Sequence, residues 1–360
     1  MTLLSSEYAD VRGSWQELRS QDAGPSRLGA DRDAGGTAIL SACGAFEWVT
    51  FFYLTLVNTL LFAFQRNLAS AWVYILIHQS IAVGIIALSY AAARWPSASL
   101  RFLRHWYPLP LYIYFFEELR GLVHLIFPGW FDEWLIRFDF SLGHVHPSLW
   151  LTRFASAPLN DLMQACYMTY FIYLVALPAI LYFRRETRAF WTVMTATAIA
   201  HYSVYVISIL FPIESPHFAL AALQPHLEGG ASTALINLIE RFGRVHGAAF
   251  PSAHVAGSMV AILASWRYRR WLFWLCLPFF VGMMIATVYG GYHYIADVLA
   301  GMLIGAIGWT AGNWIMQRRG LVAPASLFTP IREGPASCDW KCPRESQLSS
   351  ERRPTKSCWS

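Results

Sequence analysis

His293 and Asp297 stand four residues apart in the stretch Gly290-Gly291-Tyr292-His293-Tyr294-Ile295-Ala296-Asp297. In a helix that spacing puts both side chains on one face, a turn apart. A carboxylate so placed accepts the imidazole Nδ1 proton. The other nitrogen is then unprotonated and aimed outward, as a nucleophile or base requires. Gly290-Gly291 lets the backbone turn sharply and approach a ligand.

A second histidine, His254, opens an apolar stretch within Phe250-Pro251-Ser252-Ala253-His254. Proline and small residues in a first helical turn leave backbone N–H groups exposed at the positive end of the helix dipole, which makes an anion site. Ser252 and Ala253 are therefore candidate phosphate contacts, with the Ser252 hydroxyl either donating to the anion or capping the helix. An imidazolium at His254 can give a proton to a leaving oxygen. Anion cradle, proton donor and oriented imidazole together suit attack on phosphorus. Either histidine alone reads as a surface or packing residue; the combination carries the argument. Metal binding by His254, His293 and Asp297 is chemically possible, but a helix end that favours anions argues against it. Neither metal nor cofactor is expected.

The elements that must position these residues are membrane helices. Hydrophobic residues make up 56% of the 360-residue chain and charged residues 14%, against about 25% charged in a soluble domain. That leaves too little polar surface for a water-facing globule. A net charge of +5 is too weak and too uneven to suggest nucleic acid. The six cysteines imply neither a disulfide framework nor, in the Cys338, Cys342 and Cys358 trio, a zinc site. No cleavable signal peptide is expected, and the first apolar stretch serves as the insertion signal.

At about 20 apolar residues per crossing, eight spans are predicted: Trp48–Phe64, Trp72–Ala92, Tyr107–Phe127, Leu162–Phe183, Phe190–Leu210, His254–Trp266, Trp271–Tyr289 and Ile295–Met316. Alternate loops then carry 13 Lys and Arg against 5 on the other side. The positive-inside rule puts both termini in the cytoplasm and both histidine segments on the extracytoplasmic face. Between the third and fourth spans, Trp130, Phe131, Trp134, Leu135 and Phe138 recur at helical spacing with acidic residues between them, as in an amphipathic helix lying in the interface. The fold class is thus all-α, a polytopic transmembrane bundle. A polar cytoplasmic segment spans 1–40, a membrane-embedded catalytic domain 41–317, and a basic cytoplasmic tail 318–360 that is expected to be disordered. Glu117 and Arg120 read as a pair that lowers the cost of burial, and His201 as a buried, hydrogen-bonded histidine.

The run Phe250–His254, then a span, then Thr287 to Gly301 through His293 and Asp297, resembles the type 2 phosphatidic acid phosphatase superfamily, and within it the inositol phosphorylceramide synthase branch. The resemblance implies a six-helix core, a phosphohistidine formed on His293, Asp297 orienting it, His254 protonating the leaving group, and no metal. The chain departs from the long-studied phosphatases in carrying Ala286-Thr287 where they have Ser-Arg. Its nearest counterpart of their first motif, Phe211 to His217, has His217 where an arginine is expected. The positive charge that a phosphoryl transition state needs must come from Arg244, Arg241, His217 or His246, of which Arg244 is favoured.

These features predict a membrane enzyme that moves a phosphoryl group from a lipid phosphate or phosphodiester to an alcohol or water, leaning to inositol-phosphate-type headgroup transfer. A phosphatase of phosphatidic acid or polyprenyl pyrophosphate is the alternative. A vanadate-dependent oxidative activity and a membrane transporter are weaker readings; a transporter would spread its polar residues through mid-depth, whereas here they gather at one face.

Overall fold

The computed structural model describes residues 42–95, 97–223, 228–243 and 245–319. The polar segment 1–40, all but the first two residues of the 318–360 tail, and the tail cysteines lie outside them. The described chain is helical. In order come α1 (Ala45–Ala63), α2 (Ala71–Arg94), α3 (Ala98–Trp106), α4 (Pro108–Leu122), α5 (Asp132–Gly143), α6 (Ala157–Phe183), α7 (Thr187–Leu210), α8 (Ala231–Gly243), α9 (Ala253–Tyr268), α10 (Arg270–Tyr289) and α11 (Ile295–Arg319), with short helical turns at Pro147–Leu151 and Pro216–Ala219.

Six of these helices, α1, α2, α6, α7, α10 and α11, are long and apolar enough to cross a membrane. The protein is a multi-pass integral membrane protein. By length, the eight expected spans are corrected to six. The third and sixth form helices of only 15 and 16 residues, roughly 23 Å each against a hydrocarbon core of about 30 Å. Pro128 and Gly129 turn the chain beyond α4, while Ser252 caps the start of α9 and Arg267, Arg269 and Arg270 crowd its end.

Both short helices still join the two ends that the long ones join. At one end Arg104 pairs with Glu47, Arg269 pairs with Glu186, and Arg188 reaches the Met316 carbonyl at 3.5 Å. At the other end Asn67 donates to the Leu125 carbonyl at 3.0 Å. The segments 211–217, 247–252 and 290–297 also meet one another there. The arginine-rich loops therefore share one end of the bundle, and the histidine segments occupy the opposite one.

α9 sits in the middle, against α6, α7, α10 and α11. Its small residues Ala256, Gly257, Ser258, Ala261 and Ala264 are buried and let neighbouring backbones come close. α11 exploits this most. A Cβ added at Gly301 would stand 2.7 Å from the Ser252 carbonyl oxygen, and one at Gly305 2.5 Å from that of Ala256. This contact brings the first turn of α11, and His293 just before it, beside His254.

α5 carries out part of the amphipathic expectation and corrects the rest. Trp134 is 77% exposed and Phe138 and Phe140 are exposed too, so the aromatic face points away from the protein as an interfacial helix requires. The buried side, however, is the acidic one: Asp132 and Asp139 are 6% and 3% exposed. Seven residues apart, they share a helix face, and that face is turned inward to backbone N–H donors rather than outward to water.

If the α9–α11 contact is as tight as the glycines indicate, Gly301→Ala should cost about 1–3 kcal/mol. The measurement is the melting temperature of the purified protein in detergent; a curve superimposable on wild type would mean that the two helices are not held at this distance.

Candidate active site

Three chain segments are laced together at the arginine-poor end. Residues 211–217 run beside 247–249, with the Ile213 N–H donating to Gly247 and the Ala249 N–H to Ile213, both at 3.2 Å. The His217 N–H donates to Gly291 at 2.8 Å, and the Ser252 N–H to Asp297 at 3.1 Å. The carbonyl of Thr287 accepts the N–H groups of both Tyr292 and His293, at 2.9 and 3.1 Å, which winds the chain back after α10.

His293 and Asp297 are both buried and their side chains meet, but not as partners on one helical face. α11 begins at Ile295, so His293 precedes the helix. Asp297 reaches back from the first turn. Its Oδ2 accepts the Tyr294 N–H at 2.8 Å and lies 3.3 Å from His293 Nδ1. The shorter contact of Nδ1 is with the Ala249 carbonyl oxygen, at 2.8 Å. Two acceptors face Nδ1, so this nitrogen carries the proton. In a neutral imidazole Nε2 then keeps the lone pair.

His254 stands opposite, its ring centroid 6.0 Å from that of His293. Its Nε2 hydrogen-bonds with the Tyr167 hydroxyl at 3.0 Å, and the rings of Tyr167 and Tyr170 pack on it. Tyr167 also stacks on Tyr292, whose hydroxyl donates to Gln164 at 3.1 Å. Behind this layer the Tyr170 hydroxyl hydrogen-bonds with the fully buried His201 at 3.0 Å, so His201 is a buried, hydrogen-bonded histidine as expected.

Both candidate histidines line a cavity of about 420 Å³. Tyr167, Tyr170, Tyr292, Ser215, Glu214 and Glu117 supply its polar lining; Leu109, Ile113, Phe116, Phe171, Leu174 and Val175 of α4 and α6 supply much of its apolar lining. Ile113, Phe171 and Val175 are exposed on the outside of the bundle, so the cavity has an apolar flank where membrane lipid would lie. Glu117 pairs with Arg120 at 2.7 Å, as its spacing suggests, yet it also faces this cavity.

The other sequence candidates fall differently. Ala253 lines the cavity. Ser252 is fully buried, and its hydroxyl accepts the Val255 N–H at 3.3 Å, so it caps α9 instead of facing the cavity. His217 is exposed, is absent from the cavity wall, and contributes its backbone N–H to Gly291. His246 pairs with Glu214 at 2.7 Å. Arg244 and the side chain of Arg241 lie outside the described residues. Among the described residues no cluster of three or more His, Cys, Asp or Glu is placed to hold a metal ion.

The residues missed from sequence are the two aspartates of α5. Asp132 Oδ2 accepts the Glu214 N–H at 2.8 Å, while Oδ1 accepts the Ser215 N–H at 3.3 Å and the Tyr294 hydroxyl at 2.8 Å. Burial and the neighbouring Asp132 push the Tyr294 hydroxyl's pKa up, so it stays a donor. Asp139 caps α11, accepting the N–H groups of Ile295 and Ala296 at 3.0 and 3.4 Å. Burial pushes its carboxyl up, and these two donors pull it back. One helix thus clamps both the 214–215 segment and the residues around His293. Their seven-residue spacing was the available signal; nothing local said which way that face pointed.

The family model of the PAP2 superfamily matches residues 133–311. That stretch runs from the start of α5 into α11 and takes in the whole laced site, leaving α1 to α4 before it. No curated protein and no solved structure matches the chain.

Removing the Asp132 carboxylate strands two backbone N–H groups and a buried hydroxyl, each worth about 1–3 kcal/mol when left unpaired. Asp132→Ala should therefore lower the unfolding free energy by at least about 2 kcal/mol, with Asp132→Asn between it and wild type. Denaturant titration of the three proteins measures this; equal midpoints for Asp132→Ala and wild type would contradict the clamp.

Proposed function

With residues 133–311 forming a PAP2-superfamily domain in a multi-pass membrane protein, we propose that this chain is a lipid phosphotransferase working through a phosphohistidine. His293 Nε2 attacks the phosphorus of a lipid phosphate or phosphodiester. The P–O bond to the leaving alcohol breaks as His254 gives that oxygen a proton, the leaving oxygen taking the place of Tyr167 at His254 Nε2. An acceptor alcohol then gives its proton to His254 and takes the phosphoryl group from His293. The observation that carries this reading is the pair of imidazoles facing one cavity, with His293 Nδ1 already committed to Ala249 and Asp297. Asp297 serves as the orienting carboxylate. The anionic substrate favours the protonated form of His254, and Arg244 is the proposed source of further positive charge.

Two features favour an alcohol acceptor over water. The apolar flank between α4 and α6 suits a lipid chain entering from the bilayer, which leaves the polar lining for a headgroup. Glu117 and Glu214, paired with Arg120 and His246, bring carboxylate oxygens to the lining that can accept hydrogen bonds from a hydroxyl-rich acceptor, so a polyol such as inositol is the favoured partner. Lipid phosphate hydrolysis is the second reading, with water in the acceptor's place. The arginine distribution supports cytoplasmic termini and an extracytoplasmic site.

Purified protein supplied with labelled lipid phosphates should turn them over. His293→Ala should lose at least about a thousandfold in rate. Acid-labile phosphate should be trapped on wild type and be missing from the variant, and undiminished turnover in His293→Ala would sink the assignment. With inositol present a new lipid product is expected; free phosphate as the sole product would instead select hydrolysis.

Orientation has a separate check. A cysteine introduced as Ser232→Cys in α8 should react with an impermeant reagent on intact cells, and labelling that requires lysis would reverse the assignment.

A further inference from the structure

Ser215 holds a backbone conformation that glycine would adopt without strain. Its φ of 117° and ψ of 158° fall in a region that is essentially reserved for glycine. The surroundings over-determine that shape. Asp132 accepts the N–H groups of Glu214 and Ser215, the Ser215 carbonyl accepts those of Phe218 and Ala219 at 3.1 and 2.9 Å, and His217 is tied to Gly291. All of these are backbone contacts, and a glycine would satisfy each of them equally well.

The side chain therefore needs its own reason. A serine at the N-terminal cap of a helix most often uses its hydroxyl to cap it, but the Ser215 side chain makes no capping hydrogen bond. The residue is buried, and it lines the same cavity as His254 and His293. A costly conformation at a hydroxyl-bearing residue that lines the cavity of both histidines is what a substrate contact looks like: strain of this kind persists where surrounding structure enforces it for function.

We propose that Ser215 is a substrate-contacting residue whose Oγ–H donates to a non-bridging oxygen of the phosphoryl group held against His293. It would strengthen its hydrogen bond as charge grows on that oxygen in the transition state. This inference rests on the phosphotransfer reading above.

Ser215→Gly and Ser215→Ala test it, with a short-chain phosphatidic acid as substrate and orthovanadate as a phosphoryl mimic. Ser215→Gly relieves the strain, so it should melt about 2 °C or more above wild type. It should nevertheless lose about tenfold or more in kcat/KM and bind orthovanadate about tenfold more weakly, the scale of one hydrogen bond to a charged group. Ser215→Ala keeps the strain and should show the same kinetic loss. Full turnover and unchanged vanadate affinity in Ser215→Gly would overturn the proposal while leaving the phosphotransfer reading intact. If wild type turns over no lipid phosphate, that reading fails instead, and vanadate binding decides Ser215 alone. Weaker binding by Ser215→Gly would uphold the contact, and equal binding, or none by wild type, would reject it.

Discussion

The N-terminal turns of α9 and α11 lie against each other, and the rest of the site follows from that contact. Each helix presents the positive end of its dipole, equivalent to roughly half a charge, and two such ends in an apolar bundle repel. The chain offsets this with buried carboxylates: Asp297 in the first turn of α11, and Asp139 of α5 on the N–H groups of Ile295 and Ala296. The Ser252 N–H adds a direct link to the Asp297 carbonyl. Gly301 makes the contact possible, since any side chain there would meet the Ser252 carbonyl.

Around this contact the protein sorts its polar and apolar surfaces by direction. α5 shows the principle within a single helix, with aromatic side chains turned outward and Asp132 and Asp139 turned inward. The cavity lining holds both kinds of surface, tyrosines, histidines and carboxylates beside the aliphatic and phenyl groups of α4 and α6. A lipid phosphate likewise has both. α4 lies outside the stretch that matches the superfamily, yet it contributes Leu109, Tyr112, Ile113, Phe116 and Glu117 to the wall. The matched stretch supplies His254 and His293, and a helix before it supplies part of the lining around them.

Much of this was legible in the residues. Long apolar stretches and the placement of arginines marked the helices and put both histidine segments at one end, because hydrophobic length and flanking charge are local properties. The Phe250–His254 and Gly290–Asp297 segments announced themselves because turn residues, cap residues and ionisable groups sat at short, interpretable spacings. The same locality set the limits. Tyr107–Phe127 read as a span of ordinary length, since hydropathy does not reveal that a helix stops early inside a bundle; His254–Trp266 was already short in the sequence, and its helix of 16 residues stays short. Ser252 was read as a cap or a phosphate donor with equal right, and only its burial decided for the cap.

The sequence by itself determined that His293 and Asp297 are close, that a helix begins at Ser252, and that the chain lives in a membrane, because each depends on residues within a few turns of one another. Only the tertiary structure decided what faces His293 Nδ1, what meets His254, and what clamps the segments beside His293. Those partners are the Ala249 carbonyl, the Tyr167 hydroxyl and the aspartates of α5, which lie from 44 to more than 150 residues away along the chain. Contacts at such separations obey no helical period; they arise from how small residues let α9 and α11 approach and from which way α5 rolls. His293 and Asp297 do meet as their spacing foretold, but through a turn that precedes the helix, with a distant carbonyl as the nearer acceptor.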